Sequence, residues 1–279
     1  MLATPAAKWG VVLATLMTCA LFLPAVALGQ DLQYRATYQG VLSAGAEVAI
    51  ADVELGVRFP GSCDYAEARL RATSERHPFV EAIYPLRYRF RSWYRRDGSG
   101  VLAAEYLEDG NPADREHKLI YLDRPERPFV TRRLEQTNSP DLSSLERGDY
   151  RSPSSEAIRR IFDRLGLLQF VRGLELFPGR EVEAAVSNGS DLMRYLIRVE
   201  SEGPIEVAGR SWRAFKLRFD GLSEDKQGRE KHVHRPVFIW LGTEPGHIPL
   251  LVDSRHSLGR FRIALVSPGA GVQLAFRND

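Results

Sequence analysis

Apolar and polar residues alternate along most of the chain, which is typical of β-strands with one buried face. The clearest case is residues 65–73, where alanine and leucine alternate with glutamate and arginine. Residues 86–94 repeat the pattern with arginines at the polar positions, and a Gly-rich turn at 97–100 precedes the next apolar run. The pattern therefore predicts an antiparallel sheet of successive short strands joined by tight turns.

Two apolar runs near the C-terminus, residues 237–241 and 248–252, flank a turn that contains two glycines and a proline. This is the pattern of a β-hairpin. Alternate side chains of a strand point to opposite faces. In the first run both sets are apolar: Val237, Ile239 and Leu241 on one face, Phe238 and Trp240 on the other. We therefore predict a central strand that is covered on both faces, with Trp240 largely buried.

A helical pattern occurs once, after the polar loop at residues 135–153. Residues 155–165 place apolar side chains at helical spacing, with Gly166 expected to end the helix: Ile158, Ile161, Phe162 and Leu165. The predicted fold class is therefore mainly β. We expect a strongly curved antiparallel sheet or a partly open β-barrel, with this one main covering helix.

The N-terminus has a different composition from the rest of the chain. Lys8 is the only charged residue before Asp31, and the apolar run at 11–23 is followed by Pro24 and Ala-Val-Ala. This order is typical of a secretory signal peptide. We predict a signal peptide at 1–29, a single β-rich domain at 30–279, a periplasmic location and no membrane span after cleavage. An uncleaved anchor is the alternative, because 11–28 is just long enough to cross a bilayer.

Charge and cysteine content exclude several classes of function. The formal net charge is +2, and removal of Lys8 with the leader brings it closer to zero, which disfavours a nucleic-acid partner. The chain has two cysteines, and one of them, Cys19, lies in the leader. The mature chain keeps Cys63 alone, so neither an internal disulfide nor a cysteine-based zinc site is expected.

Histidines and carboxylates are the candidate catalytic or metal-binding residues. His232 and His234 would share a face of a strand and His247 lies in the following turn, and histidines so spaced can bind zinc. Because the first two lie at the edge of a polar loop, we expect no metal and no cofactor. Asp52 and Glu54 share a strand face, as a glycosidase pair can. The chain contains no Gly-x-Ser-x-Gly motif, and we assign no catalytic residue.

Short motifs across the mature chain resemble a bacterial exported family known as domain of unknown function 3108. The most specific are the Val-Phe-Ile-Trp-Leu run at 237–241, Ile248-Pro249 and Leu258-Gly259, while Gly40 and Gly45 fit its early part. The resemblance implies a curved antiparallel sheet in an envelope protein. It implies no enzymatic activity and no catalytic residues.

The resulting hypothesis is a non-enzymatic periplasmic binding or envelope-assembly protein, with a lipid or glycan in the concave sheet and an envelope protein as a further partner. Aromatic side chains are the candidate ligand-binding residues: Tyr38, Tyr88, Phe90, Trp93, Phe162 and Trp240. The alternative is a hydrolase of envelope polysaccharide or peptide that uses carboxylates or the histidine cluster. The interior of the sheet distinguishes the two, because an open cavity favours binding and converging acids or histidines favour catalysis.

Overall fold

The computed structural model describes residues 29–40, 43–58, 64–83, 85–110, 115–122, 130–134, 161–190, 192–224, 230–232, 235–256 and 259–268. The predicted leader, apart from Gly29, lies outside these ranges, as do Cys63 and His234. Among the described residues, no helix is both long and apolar enough to cross a membrane.

The chain up to residue 162 supplies eight strands and one short helix: β1 (Gln30–Gly40), β2 (Ser43–Arg58), β3 (Tyr65–Thr73), α1 (Pro78–Ile83), β4 (Arg87–Arg95), β5 (Val101–Glu108), β6 (Glu116–Tyr121), β7 (Val130–Arg133) and β8 (Ile161–Phe162). The second half supplies one helix and seven strands: α2 (Arg164–Arg172), β9 (Glu181–Ser187), β10 (Leu192–Val207), β11 (Arg210–Glu224), β12 (Glu230–His232), β13 (Val237–Gly242), β14 (Pro249–His256) and β15 (Gly259–Pro268).

All the described strands belong to one 15-stranded sheet. The order is β7-β6-β5-β4-β3-β2-β1-β15-β14-β13-β11-β10-β9-β8, with β12 paired to the end of β11. The pairs are antiparallel except for β8, which runs parallel to β9. The predicted mainly β, strongly curved antiparallel sheet is therefore confirmed.

The sheet curls until its two ends meet. Val101 and Ile120 of β5 and β6 share one hydrophobic core cluster with Phe162 and Val186 of β8 and β9. The Thr131 hydroxyl of β7 donates to the Gly189 carbonyl in the β9–β10 turn. A Cβ at Gly189 would lie 2.9 Å from a methyl carbon of Ile120, and φ is +88° there, so glycine is required for this approach. The result is a barrel-like sheet whose closure is made by side chains and a turn.

The predicted helix at 155–165 is wrong in its bounds. Ile161 and Phe162 form strand β8, and α2 begins at Arg164, while residues 155–160 lie outside the described ranges. The cause is Asp163, whose extended backbone and side chain cap the new helix. Gly166 lies inside the first turn of α2 and does not end it. A Cβ there would lie 2.1 Å from Val101 Cγ2, so only glycine fits.

Helix α2 lies inside the curl, against the inner face of the sheet. Leu167 and Val171 belong to the same core cluster as Leu217 and Leu241 of β11 and β13. Phe170 packs on this cluster, and its ring stacks on that of Phe162 with centroids 4.9 Å apart. Burial of apolar surface on both sides of α2 is therefore the main stabilising contribution in this part of the sheet.

The opposite, outer face carries its own smaller clusters. Trp93 is completely buried there with Leu119 of β6, and the guanidinium of Arg91 lies 4.9 Å from the centre of its ring. Trp240 also faces outward and is half-buried beneath the amine of Lys216, 5.8 Å from its ring centre. Trp240 also packs against a core cluster and lies 6.3 Å from the ring of Phe238, so most of its surface is covered, in agreement with the predicted burial.

Candidate functional site

A cavity of about 160 Å³ lies between the inner face of β4–β6, the start of α2 and the β9–β10 turn. We call it the Lys118 cavity. The residues that give it its chemical character are aromatic, cationic, acidic or hydrogen-bonding: Phe90, Glu105, Tyr106, Lys118, Asp163, Arg164, Ser187 and Asn188. Ligand pockets for drug-sized molecules usually enclose about 300–1,000 Å³, so this space suits a single small chemical group.

Strand register brings three of these residues into one row. Phe90 of β4 is paired with Tyr106 of β5, and Tyr106 with Lys118 of β6. Directly opposite side chains in an antiparallel sheet lie close together on one face. The Phe90 and Tyr106 rings meet edge to face with centroids 4.7 Å apart, and the Lys118 amine lies 4.8 Å from the Tyr106 ring centre.

Hydrogen bonds fix the protonation state of the tyrosine in this row. The Tyr106 hydroxyl donates to Glu108 Oε2 at 2.6 Å, and the Tyr88 hydroxyl donates to Glu108 Oε1 at 2.9 Å. Burial, followed by the bond to Glu108, raises the pKa of Tyr106 well above its ordinary value. The phenol therefore stays neutral, and the cation in the row is Lys118, which pairs with Glu116 at 3.0 Å.

The wall on the α2 side carries a buried carboxyl group. Asp163 accepts hydrogen bonds from the Ser92 hydroxyl at 2.5 Å and from the backbone amides of Leu165 and Gly166 at 3.0 and 3.1 Å. Burial nevertheless raises its pKa, although these bonds oppose the shift. The next residue, Arg164, is exposed at the cavity and partly offsets the rise in the pKa of Tyr106.

The other end of α2 has a guanidinium group among neutral acceptors. Arg172 donates to the carbonyl oxygens of Gly246 and His247 at 2.9 and 3.0 Å, and to the amide oxygens of Gln30 and Gln169 at 2.6 Å each. Burial lowers its pKa, which the neighbouring tyrosines partly offset. These bonds use most of the guanidinium donors. This end of α2 therefore joins the helix to the β13–β14 turn and to the start of β1.

The six predicted ligand-binding residues are not brought together. Tyr88 and Phe90 lie at or beside the Lys118 cavity, with ring centroids 6.3 Å apart. Phe162 is packed in the core, Trp93 and Trp240 are on the outer face, and the ring of Tyr38 contacts that of Phe261, 4.7 Å away.

The histidines of the hydrolase alternative are also dispersed. His232 is paired with Leu222 near one end of β11, whereas Nδ1 of His247 donates to the carbonyl of Gly242, which is paired with Ala214. Residues 214 and 222 of one strand are about 26 Å apart at the usual rise. No group of three or more metal-ligating side chains occurs in the described ranges. Of the acids, Glu54 pairs with Arg69 and Asp52 accepts from Gln33.

Sequence reasoning did not identify most of the cavity residues. Tyr106 and Lys118 lie on predicted strands, and the register that pairs them is not a property of either strand alone. Asp163 preceding an apolar run was the available signal, because an aspartate there is a common helix N-cap. This capping role of Asp163 was missed because the apolar spacing at residues 155–165 suggested that the helix starts earlier.

Comparison with solved structures supports the fold. The chain is similar to a β-barrel-like protein of domain of unknown function DUF1849 from Brucella abortus, with a TM-score of 0.50, 10% sequence identity, and coverage of 86% of this chain and 97% of that one. A lipoprotein candidate from Parabacteroides distasonis has a TM-score of 0.35 and 8% identity, with coverage of 86% and 94%. At 10% identity the first similarity establishes only that the fold is barrel-like. The TM-score of the second is too low to support any argument.

No protein-family model and no characterised protein matches the chain. The resemblance to domain of unknown function 3108 is therefore wrong: the structural neighbour belongs to a different domain of unknown function, DUF1849. The misleading motifs were short apolar strands and turn glycines, such as those at 237–241, and any curved antiparallel sheet needs residues of these types.

Proposed function

We propose that this protein is a non-enzymatic binding protein of the bacterial envelope, and that the Lys118 cavity holds one anionic sugar unit of a glycan or glycolipid headgroup. The observation that carries the proposal is the composition of the cavity, with an aromatic pair beside two cations and hydrogen-bonding side chains, while its two acids, Glu105 and Asp163, are bonded to His117 and to Ser92. Sugar rings offer C–H faces to aromatic rings and hydroxyl groups to polar side chains, and this cavity presents both kinds of partner.

The packing of the interior argues for a polar group and against an acyl chain. Phe162 and Val171 fill the space beside α2 and are almost completely buried. The Lys118 cavity, of about 160 Å³, adjoins Lys118 and Arg164, which favour a carboxylate or similar anion. The export of the chain rests on the charge-poor apolar leader, whose pattern is that of a signal peptide.

Titration calorimetry with glucuronate, glucose and decanoate tests the proposal. We expect the mature protein to bind glucuronate more tightly than glucose and to bind decanoate least, because Phe162 and Val171 fill the described interior beside α2. Lys118→Met should weaken glucuronate binding by about tenfold or more, since a hydrogen bond to a charged group contributes about 1.5–3 kcal/mol.

Lys216→Met is the matched control. Lys216 also lies over an aromatic ring, 4.5 Å from that of Phe238, and pairs with Glu200 at 2.7 Å, but it is on the outer face. Its loss should leave glucuronate binding unchanged. Preferential binding of decanoate, or equal losses in the two variants, would contradict the proposal.

A further inference from the structure

The outer face of β3 and β4 carries six arginines. Arg95, at the end of β4, lies 5.5 Å from the ring centre of Tyr65, and the other five differ in whether they have an ion-pair partner. Three are ion-paired. Arg69 contacts Glu67 at 2.8 Å, Arg91 contacts Glu67 at 2.6 Å, and Arg87 contacts Glu81 at 2.7 Å. The carboxylates therefore neutralise both ends of this arginine-rich surface.

The remaining two, Arg71 and Arg89, have no such partner. They are directly opposite each other in the β3–β4 register, and both are exposed. Within the described part of the chain, neither guanidinium group makes an ion pair or hydrogen bond. The acid opposite Arg71 on β2 is Asp52, which accepts a hydrogen bond from Gln33 at 3.0 Å.

Two like charges directly opposite on adjacent strands reduce stability. They are nevertheless placed at a surface hollow of about 370 Å³, which Arg87, Glu75 and Asp109 also line. The two carboxylates are engaged by other arginines, Glu75 by Arg87 at 3.2 Å and Asp109 by Arg115 at 2.9 Å. The side chain opposite Arg89 on the other side is Leu107, which is buried and carries no charge. The hollow therefore has two available guanidinium groups, and a bound anion would remove their repulsion.

We propose that Arg71 and Arg89 form a binding site for a phosphate group, carried by a membrane lipid or free in solution. Each guanidinium presents a planar fork of N–H donors that matches two oxygens of a phosphate. A terminal phosphate provides three acceptor oxygens and a charge of about −1.5 to −2 at pH 7, which is enough for two forks. The site lies on the opposite face of the sheet from the Lys118 cavity and does not depend on it.

Two probes distinguish the sources of the phosphate. One is inorganic phosphate, measured by calorimetry with the mature protein. The other is sedimentation with vesicles of phosphatidylcholine, either alone or mixed with phosphatidic acid. Binding of inorganic phosphate, or of the mixed vesicles in preference to phosphatidylcholine, supports the site. Binding of vesicles without binding of free phosphate assigns the phosphate to a lipid.

The double variant Arg71→Gln/Arg89→Gln should reduce the binding by about tenfold or more, because each lost charge-assisted bond is of the strong class. Its thermal midpoint should be unchanged or higher, since the repulsion is removed. The matched control is Arg198→Gln/Arg213→Gln, which removes equal charge from exposed arginines paired with Glu181 and Glu202.

The control should retain the binding of the parent. An equal loss in both double variants would show a general effect of net charge and overturn the proposal, as would the absence of phosphate and vesicle binding in the parent. Lys118→Met should leave phosphate binding unchanged, so a failure of this site is distinguishable from a failure of the Lys118 cavity.

Discussion

The ionisable side chains at the two ends of α2 have different hydrogen-bond partners. At the N-terminal end, Asp163 is bonded by two amides of its own helix and by Ser92. At the C-terminal end, Arg172 is bonded to the β13–β14 turn and to Gln30 at the start of β1. Both charges have the sign that the helix dipole favours at their end.

The difference separates the proposed binding site from the contacts that stabilise the helix. Asp163 is satisfied by two amides of its own helix and by one hydroxyl of β4, that of Ser92, and the Lys118 cavity lies beside it. Apart from its bond to Gln169, Arg172 makes its bonds to the β13–β14 turn and to Gln30, 74 to 142 positions away along the chain, and it therefore holds three elements together. We conclude that the Asp163 end leaves room for a ligand and that the Arg172 end fixes the helix in the sheet.

The core between the two ends should dominate stability. Phe162 is 2% exposed and stacks on Phe170, so Phe162→Ala should lower the free energy of unfolding by about 3–5 kcal/mol, the usual cost of emptying a buried aromatic site. Urea denaturation measures this. Phe177→Ala, at a position 51% exposed, should cost less than about 0.5 kcal/mol. Similar losses in both variants would show that the space around α2 is not tightly packed.

Removal of the guanidinium tests the C-terminal end. Arg172→Met should lower the free energy of unfolding by about 1.5–3 kcal/mol, because several carbonyl and amide oxygens lose a charged donor. The control Arg198→Met removes an exposed arginine paired with Glu181, for which about 0–1 kcal/mol is expected. If denaturation midpoints of the two variants coincide, Arg172 does not hold the turn and β1 against the helix.

Much of the sheet was predictable because strand periodicity is a local property. Residues 65–73 alternate cleanly and form β3 with the same bounds, and the apolar run at 237–241 falls within β13. The alternation within each segment shows which positions share a face of the strand. Several segments that each have one apolar face can bury those faces together in a sheet. The mainly β class follows from this without knowledge of which strands are neighbours.

The cavity was not predictable because it depends on pairings between distant segments. Phe90 was selected for its aromatic ring, but its neighbours Tyr106 and Lys118 are fixed by the β4–β5–β6 register. The helix that closes the cavity was placed too early, because apolar spacing at 155–165 resembled one helical face. The cap at Asp163 and the close contact of Gly166 with Val101 decide its start. Such tertiary contacts override local patterns.

The smallest effect we expect concerns the protonation of Asp163 at the N-terminal end. Its folded pKa is raised above the ordinary value of 3.8 by burial. A raised folded pKa means that the folded state holds the proton more tightly than the unfolded chain does. The contribution of this group is therefore fully present below pH 3.8 and is lost as the pH rises through the folded pKa.

Asp163→Asn cannot titrate, and its side-chain oxygen can still cap α2. We therefore expect the free energy of unfolding of the parent, minus that of this variant, to fall as the pH rises from below 3.8 towards neutrality. Urea denaturation of both proteins across this range measures the difference. Carboxylates with the opposite shift, such as Asp253, whose pKa a hydrogen bond from Arg260 lowers, are present in both proteins and cancel. If this difference in the free energy of unfolding instead grows with pH, the fold stabilises Asp163 as a carboxylate. Both ends of α2 would then stabilise a charged side chain.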